Sequence, residues 1–136
     1  MNQKTFKILI IDDEDMLRHV LKDILVEKGF IVDTASNGQD GLSKIENSND
    51  IDLILLDIQM PGMSGYEVLN RVRRLKLSIK IIILSAYDVR GREQNPKSMQ
   101  IFDYLHKPVS IERLVSTIQQ ALGANSFFPR SLKWPN

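Results

Sequence analysis

Leu53–Gly65 reads LILLDIQMPGMSG, and this stretch decides the fold. The run from Leu53 to Leu56 is apolar throughout and short, which suits a strand buried on both faces. Asp57 stands where that strand stops. Gln59-Met60-Pro61-Gly62 then predicts a tight turn, because Pro presets the backbone angle at one turn position and Gly admits a positive angle at the next. Ser64 caps a new helix, with Glu67 three residues on completing a capping box. Open α/β sheets place their chemistry at the carboxyl ends of buried parallel strands, just ahead of such a helix. An Asp in that place is also a common turn former or helix cap, so the rest of the chain must decide.

Working outward, Lys7 to Ile11 is a second buried strand that runs into the acids Asp12-Asp13-Glu14-Asp15. From Asp15 to Lys28 the apolar residues Met16, Leu17, Val20, Leu21, Ile24 and Leu25 recur at helical spacing, and Gly29 supplies the stop. Phe30 to Ala35 is a short strand. Asn37-Gly38 turns into a helix carrying Leu42 and Ile45 that dissolves within Glu46 to Asp50. Beyond Asp57 a helix is expected from Ser64 to about Leu77, with Tyr66, Val68, Leu69 and Val72. Lys80 to Leu84 is the fourth strand and Phe102 to His106 the fifth. Ser110 caps a last helix whose Leu114, Val115, Ile118, Ala121 and Leu122 keep helical period until Gly123 ends it. Strands alternating with helices at short connections require right-handed crossovers and a parallel sheet covered on both faces. The expected fold is therefore α/β: a doubly wound five-stranded parallel sheet, flavodoxin-like, in the order 2-1-3-4-5.

A length of 136 residues suits one domain, with 43% hydrophobic and 26% charged residues marking neither disorder nor a membrane protein. A net charge of +1 excludes a broad electrostatic grip on nucleic acid. The chain has no cysteine, which excludes disulfides and thiolate metal sites and fits a reducing compartment. The apolar start at Ile8–Ile11 is too short for a signal core, so the expected location is the cytoplasm.

Tyr87–Gln100, YDVRGREQNPKSMQ, breaks the regularity. The fourth helix belongs there, yet Gly91 costs about 1 kcal/mol in a helix interior and Pro96 about 3. A short or irregular helix is expected. Residues 1–123 form the expected domain, and Ala124–Asn136, with Phe127, Phe128 and Trp134, reads as a tail or the start of a linker rather than a docking peptide.

In this sheet Asp12 and Asp13 end the first strand, Asp57 the third, Ser85 follows the fourth and Lys107 the fifth. All converge on one carboxyl edge. The first and third strands flank the crevice where the strand order reverses, which is where ligands bind. Three carboxylates there raise one another's pKa unless a cation compensates. Oxygen ligands at an open site suit Mg²⁺, which keeps several waters and takes one or two carboxylates. Lys107 is then a point charge for a phosphoryl oxygen, and Ser85 a hydroxyl donor to another. Singly, each residue has a plainer reading as helix-end acid, surface lysine or loop cap. Jointly, four strand ends would have to supply complementary groups by accident.

IIDDED, LLDIQMPGMSG, LSAY and DYLHKP, in this order and spacing, resemble the receiver domain of two-component response regulators, which accept phosphate on Asp from a histidine kinase. The resemblance covers Lys7 to about Leu122. It implies that Asp57 is the phosphate acceptor and that Asp13, Asp57 and the backbone carbonyl of Gln59 bind Mg²⁺, with Asp12 acting through metal-bound water. It implies that Ser85 and Tyr104 are the switch pair, that Lys107 is the family's lysine, and that the Lys107-Pro108 bond is cis. It also implies a sensor histidine kinase or phosphotransfer protein as donor. Downstream it implies an effector protein or a C-terminal output domain, and a monomer or weak homodimer. The output face would be the fourth helix, fifth strand and last helix. One departure is Met99-Gln100-Ile101, which stands where many receivers carry a small-Gly-small turn. His19 on the first helix and His106 beside Lys107 are expected to be solvated and strand-end residues.

Three other readings compete. An aspartyl-phosphate hydrolase of this size resembles a DxD arrangement, and Asp57-Ile58-Gln59 lacks the second acid. A binding module would have no use for the full set Asp12, Asp13, Asp57, Ser85 and Lys107. A fragment of a larger regulator would make the tail a linker.

Overall fold

The computed structural model describes residues 4–75, 78–86 and 100–123. Five strands lie in one parallel sheet in the order β2-β1-β3-β4-β5. These are β1 (Lys7–Ile11), β2 (Ile31–Ala35), β3 (Leu53–Leu56), β4 (Lys80–Ser85) and β5 (Asp103–His106). Four helices lie among the described residues: α1 (Asp15–Glu27), α2 (Gly38–Glu46), α3 (Gly65–Arg74) and α4 (Ile111–Leu122). The expected order is thus borne out. The helix expected within Tyr87–Gln100 lies outside the described residues, as do the tail and the residues that would extend α3 to Leu77.

Period-two alternation explains how an all-apolar run serves both faces. Ile8, Ile10, Leu53, Leu55, Ile82 and Leu84 point to one side, where Leu21 and Leu25 of α1 and Leu114, Val115 and Ile118 of α4 cover them. Leu9, Ile11, Ile54, Leu56, Ile81 and Ile83 point to the other, beneath Leu42 and Ile45 of α2 and Val68, Leu69 and Val72 of α3. Each of these side chains is buried. A run that alternated polar and apolar residues would have left one side of the sheet wet.

The starts of α2, α3 and α4 follow their side-chain caps. Asn37 accepts the Asp40 amide at 2.7 Å, Ser64 the Glu67 amide at 3.4 Å and Ser110 the Arg113 amide at 3.1 Å. Gly62 has φ +77 and Gly123 has φ +89, which serve the predicted turn and the predicted stop. The stripe expected on α1 is corrected in one respect: Leu21 and Leu25 are buried, whereas Met16 is 81% exposed and Val20 is 46% exposed. The buried position between them belongs to Arg18. A helix packed on a sheet edge beside a crevice hides a narrower arc than the six apolar residues span.

Gln100 has φ +60. That is the left-handed region glycine favours, and here a glutamine adopts it.

Candidate functional site

The carboxyl edge of the sheet is built by backbone contacts that carry the chain past each strand end. The Asp57 amide donates to the Ile11 carbonyl at 2.9 Å, and the Asp12 amide to the Ala35 carbonyl at 3.1 Å. Both acids are thereby drawn under the edge: Asp57 is 4% exposed and Asp12 2%. Asp13 stays exposed at the mouth. Carboxylate oxygens of Asp12, Asp13 and Asp57 all lie within 4.8 Å of one another.

Gly65 sets how closely α3 can start behind the acid. Its amide donates to the Ile58 carbonyl at 3.0 Å. A Cβ there would stand 2.3 Å from the Asp57 carbonyl oxygen and 2.6 Å from Ile58 Cα. No heavy atom fits at those distances, so only glycine lets the turn close on the strand end. Nothing in the local sequence marks Gly65 for this purpose.

From the other side comes Lys107. Its amide donates to the Ser85 carbonyl at 2.7 Å, which ties the residue after β5 to the end of β4. The Lys107-Pro108 peptide is cis, as expected. The ammonium lies 2.9 Å from Asp12 Oδ2, 2.7 Å from Glu14 Oε1 and 3.6 Å from Asp57 Oδ2. Burial works against its charge, but hydrogen bonds with Glu14 and Asp12 outweigh that and hold the Lys107 pKa above its usual value.

Asp57 responds in the opposite sense. Burial first, and the facing Asp12 second, push its carboxyl up to about 6 from 3.8, against Lys107 and the Gln59 amide, which pull it down. That amide donates to Asp57 Oδ1 at 3.1 Å. A buried acid crowded by others and only partly compensated by one lysine is a site short of positive charge. The all-oxygen donor set and its half-open mouth fit Mg²⁺, a small hard cation that retains water.

Ser85 is wholly buried at the end of β4. Tyr104 on β5 packs against the core of the α2–α3 side. Burial pushes its phenol above the ordinary range, opposed in part by the neighbouring Ser85 side chain, and the hydroxyl is buried with no hydrogen-bond partner among the described residues. The structure therefore brings Asp12, Asp13, Asp57, Ser85, Lys107 and Tyr104 to one edge. Gln59 lies beside them, whereas His19 and His106 are exposed.

Two residues at this edge escaped the sequence reading. Glu14 reaches Lys107 across the crevice. Arg18, 8% exposed, donates to the Asp12 carbonyl at 2.8 Å and to Asp15 Oδ1 at 2.6 Å, stapling the first turn of α1 to the acid loop. An Arg three residues after an Asp was the available signal, at the spacing of neighbours on one helix face.

Comparison with known proteins agrees with this geometry. The model of the response regulator receiver domain matches residues 8–119. The chain belongs to that family. Sporulation initiation phosphotransferase F of Bacillus subtilis is 31% identical to this receiver over 120 residues, 88% of this chain and 96% of that protein. The uncharacterized transcriptional regulatory protein YkoG of the same organism is 36% identical over 118 residues, 87% of this chain and 51% of that protein. The receiver spans about half the length of YkoG and of other transcriptional regulators it matches. The crystal structure of the response regulator TrrA from Thermotoga maritima, in complex with Mg²⁺–BeF, is similar at a TM-score of 0.76 and 36% identity. It covers 86% of this chain and 99% of that one. A receiver is a phosphoryl-accepting signalling switch that works with Mg²⁺, and this chain is one.

Proposed function

We propose that Asp57 is the residue that takes the phosphoryl group, from a sensor histidine kinase or a phosphotransfer protein. What chiefly supports the reading is the pairing of a buried Asp57 with the Lys107 ammonium 3.6 Å away, at the mouth of a carboxylate cluster. One Asp57 oxygen attacks phosphorus in line, the bond from phosphorus to the donor nitrogen or oxygen breaks, and the donor leaves with the electron pair. The product is an acyl phosphate. The Lys107 ammonium meets a phosphoryl oxygen as charge gathers there, and the Gln59 amide keeps Asp57 aimed. Asp13, Asp57 and the Gln59 carbonyl would hold Mg²⁺, with Asp12 acting through its water. When bound, the ion supplies positive charge against the phosphoryl oxygens. The chain performs this chemistry, and its later hydrolysis, on itself rather than as an enzyme turning over a substrate.

Phosphorylation draws the Ser85 hydroxyl inward and lets Tyr104 fill the vacated space, shifting an existing equilibrium on the β5–α4 side. The contact between Ser85 and Tyr104 supports that coupling. A groove of about 430 Å³, lined by Leu17, Val20, Leu84, Pro108 and Val109 with Lys107 on its rim, supports a protein donor approaching over α1. Residues 1–123 are the switching unit and 124–136 a tail or linker. Downstream stands an effector protein or a C-terminal output domain. No helix among the described residues is long and apolar enough to cross a membrane, and the cytoplasm is the proposed location. Incubation with acetyl phosphate and Mg²⁺, followed by mass spectrometry, tests the reading: a mass gain of one phosphoryl group on Asp57 supports it, and labelling elsewhere or nowhere overturns it.

A further inference from the structure

Glu14 occupies the N-cap position of α1, with an extended backbone, yet its side chain makes no capping hydrogen bond. Asn, Asp, Ser and Thr are the residues that serve that position, because a short side chain can turn back on the helix amides. Glu is too long for the task. Its carboxylate instead reaches Lys107 at 2.7 Å, across 93 residues of sequence. Meanwhile the backbone of Glu14 is held fast. Its amide donates to Asp12 Oδ1 at 2.9 Å, and its carbonyl accepts the Arg18 amide at 2.9 Å.

The three carboxylates around Lys107 differ in what they can do. The side chains of Asp12 and Asp57 are 3% and 4% exposed and fixed to strand ends, whereas that of Glu14 is 57% exposed. Only Glu14 can swing into solvent. It also has the shortest grip on the ammonium, and Asp57 at 3.6 Å is beyond hydrogen-bond distance.

We infer that Glu14 is a positioning residue, a releasable latch that holds the Lys107 ammonium back from Asp57 until an incoming phosphoryl group displaces it. The inference rests on the proposed role of Asp57. An anionic donor meets Glu14 both as a like charge at the mouth and as a competitor for one of the three N–H donors of Lys107. Removing the carboxylate frees that donor and lets Lys107 close on Asp57.

Two measurements on Glu14→Ala, which removes both the charge and the acceptor, test this. In crystals grown without metal, Lys107 Nζ should move from 3.6 Å to about 2.9 Å from Asp57 Oδ2, a direct hydrogen bond. An unchanged separation overturns the latch. With acetyl phosphate and Mg²⁺, the concentration giving half-maximal labelling rate should fall by about threefold to tenfold, while the rate at saturation changes by less than about twofold. Asp15→Asn provides the contrast, since it removes an equal charge one residue away that pairs with Arg18 rather than Lys107. An equal effect from Asp15→Asn would assign the change to the general field and overturn the latch. So would an Asp57 labelled in Glu14→Ala with wild-type concentration dependence. A wild-type chain never labelled on Asp57 would instead remove the underlying reading, leaving the crystal distance to judge how Lys107 is held.

Discussion

The two walls of the crevice are made in different ways. The acid wall, at the ends of β1 and β3, is a product of backbone: neighbouring strand ends bond to each other, and Gly65 closes the loop behind Asp57 with no room for a methyl group. The opposite wall, at the ends of β4 and β5, shares one such backbone tie, from Lys107 to Ser85, but is finished by side chains. Lys107, Ser85 and Tyr104 reach the edge from elements whose intervening chain includes a left-handed Gln100. Rigid geometry thus presents the proposed acceptor, and side chains face it from across the crevice.

Breaking the acid wall should have the largest effects. Asp57→Asn should abolish acetyl phosphate labelling, read by mass spectrometry, while the amide preserves the shape of the side chain. Persisting Mg²⁺-dependent labelling of that variant would move the acceptor elsewhere. Gly65→Ala must displace either α3 or the Asp57 carbonyl, and should lower stability by about 3 kcal/mol in urea unfolding, the upper range for overpacking.

The same acid wall carries a cost that pH can relieve. The folded carboxyl of Asp57, at about 6, stands above its 3.8 reference, so the native state holds this proton more tightly than the unfolded chain does. Ionised Asp57 therefore destabilises the metal-free fold fully above pH 6, and the penalty fades as pH falls toward 3.8. Asp57→Asn should raise stability in EDTA at pH 7.5 by on the order of 1 to 3 kcal/mol. The gain should shrink steadily toward pH 4, and a gain constant with pH would contradict the cause given for the shift. On the opposite wall the expected effect is smallest. Gln100→Gly relieves a left-handed residue and should stabilise by about 0.5 to 1 kcal/mol in the same assay.

Much of this was legible before any coordinates. The unbroken apolar runs at Leu53–Leu56 and Ile8–Ile11 mark the buried strands, and Pro61-Gly62, Ser64, Ser110 and Gly123 mark turns and helix ends by local chemistry. Because parallel strands share one carboxyl edge, Asp12, Asp57, Ser85 and Lys107 could be brought together from the element order alone. Contacts that depend on the third dimension were not legible. The phase of α1 on the sheet left Met16 and Val20 in solvent and buried Arg18, and helical periodicity cannot reveal where a buried arc ends. Nothing local to Glu14 announces Lys107, and nothing local to Gly65 announces the carbonyl it must clear.

On the side of the sheet away from α1, Gly41 of α2 rests on Ile11, where a Cβ would come within 2.5 Å of the side chain, and Gly38 is pressed against Val68 and Met63 in the same manner. That half of the molecule behaves as an anvil. With no room for a carbon atom at either glycine, α2 is seated directly on Ile11, the residue before the acids, and against Val68 and Met63. The support beneath the acid loop thus depends on two hydrogen atoms where other residues would have carbon.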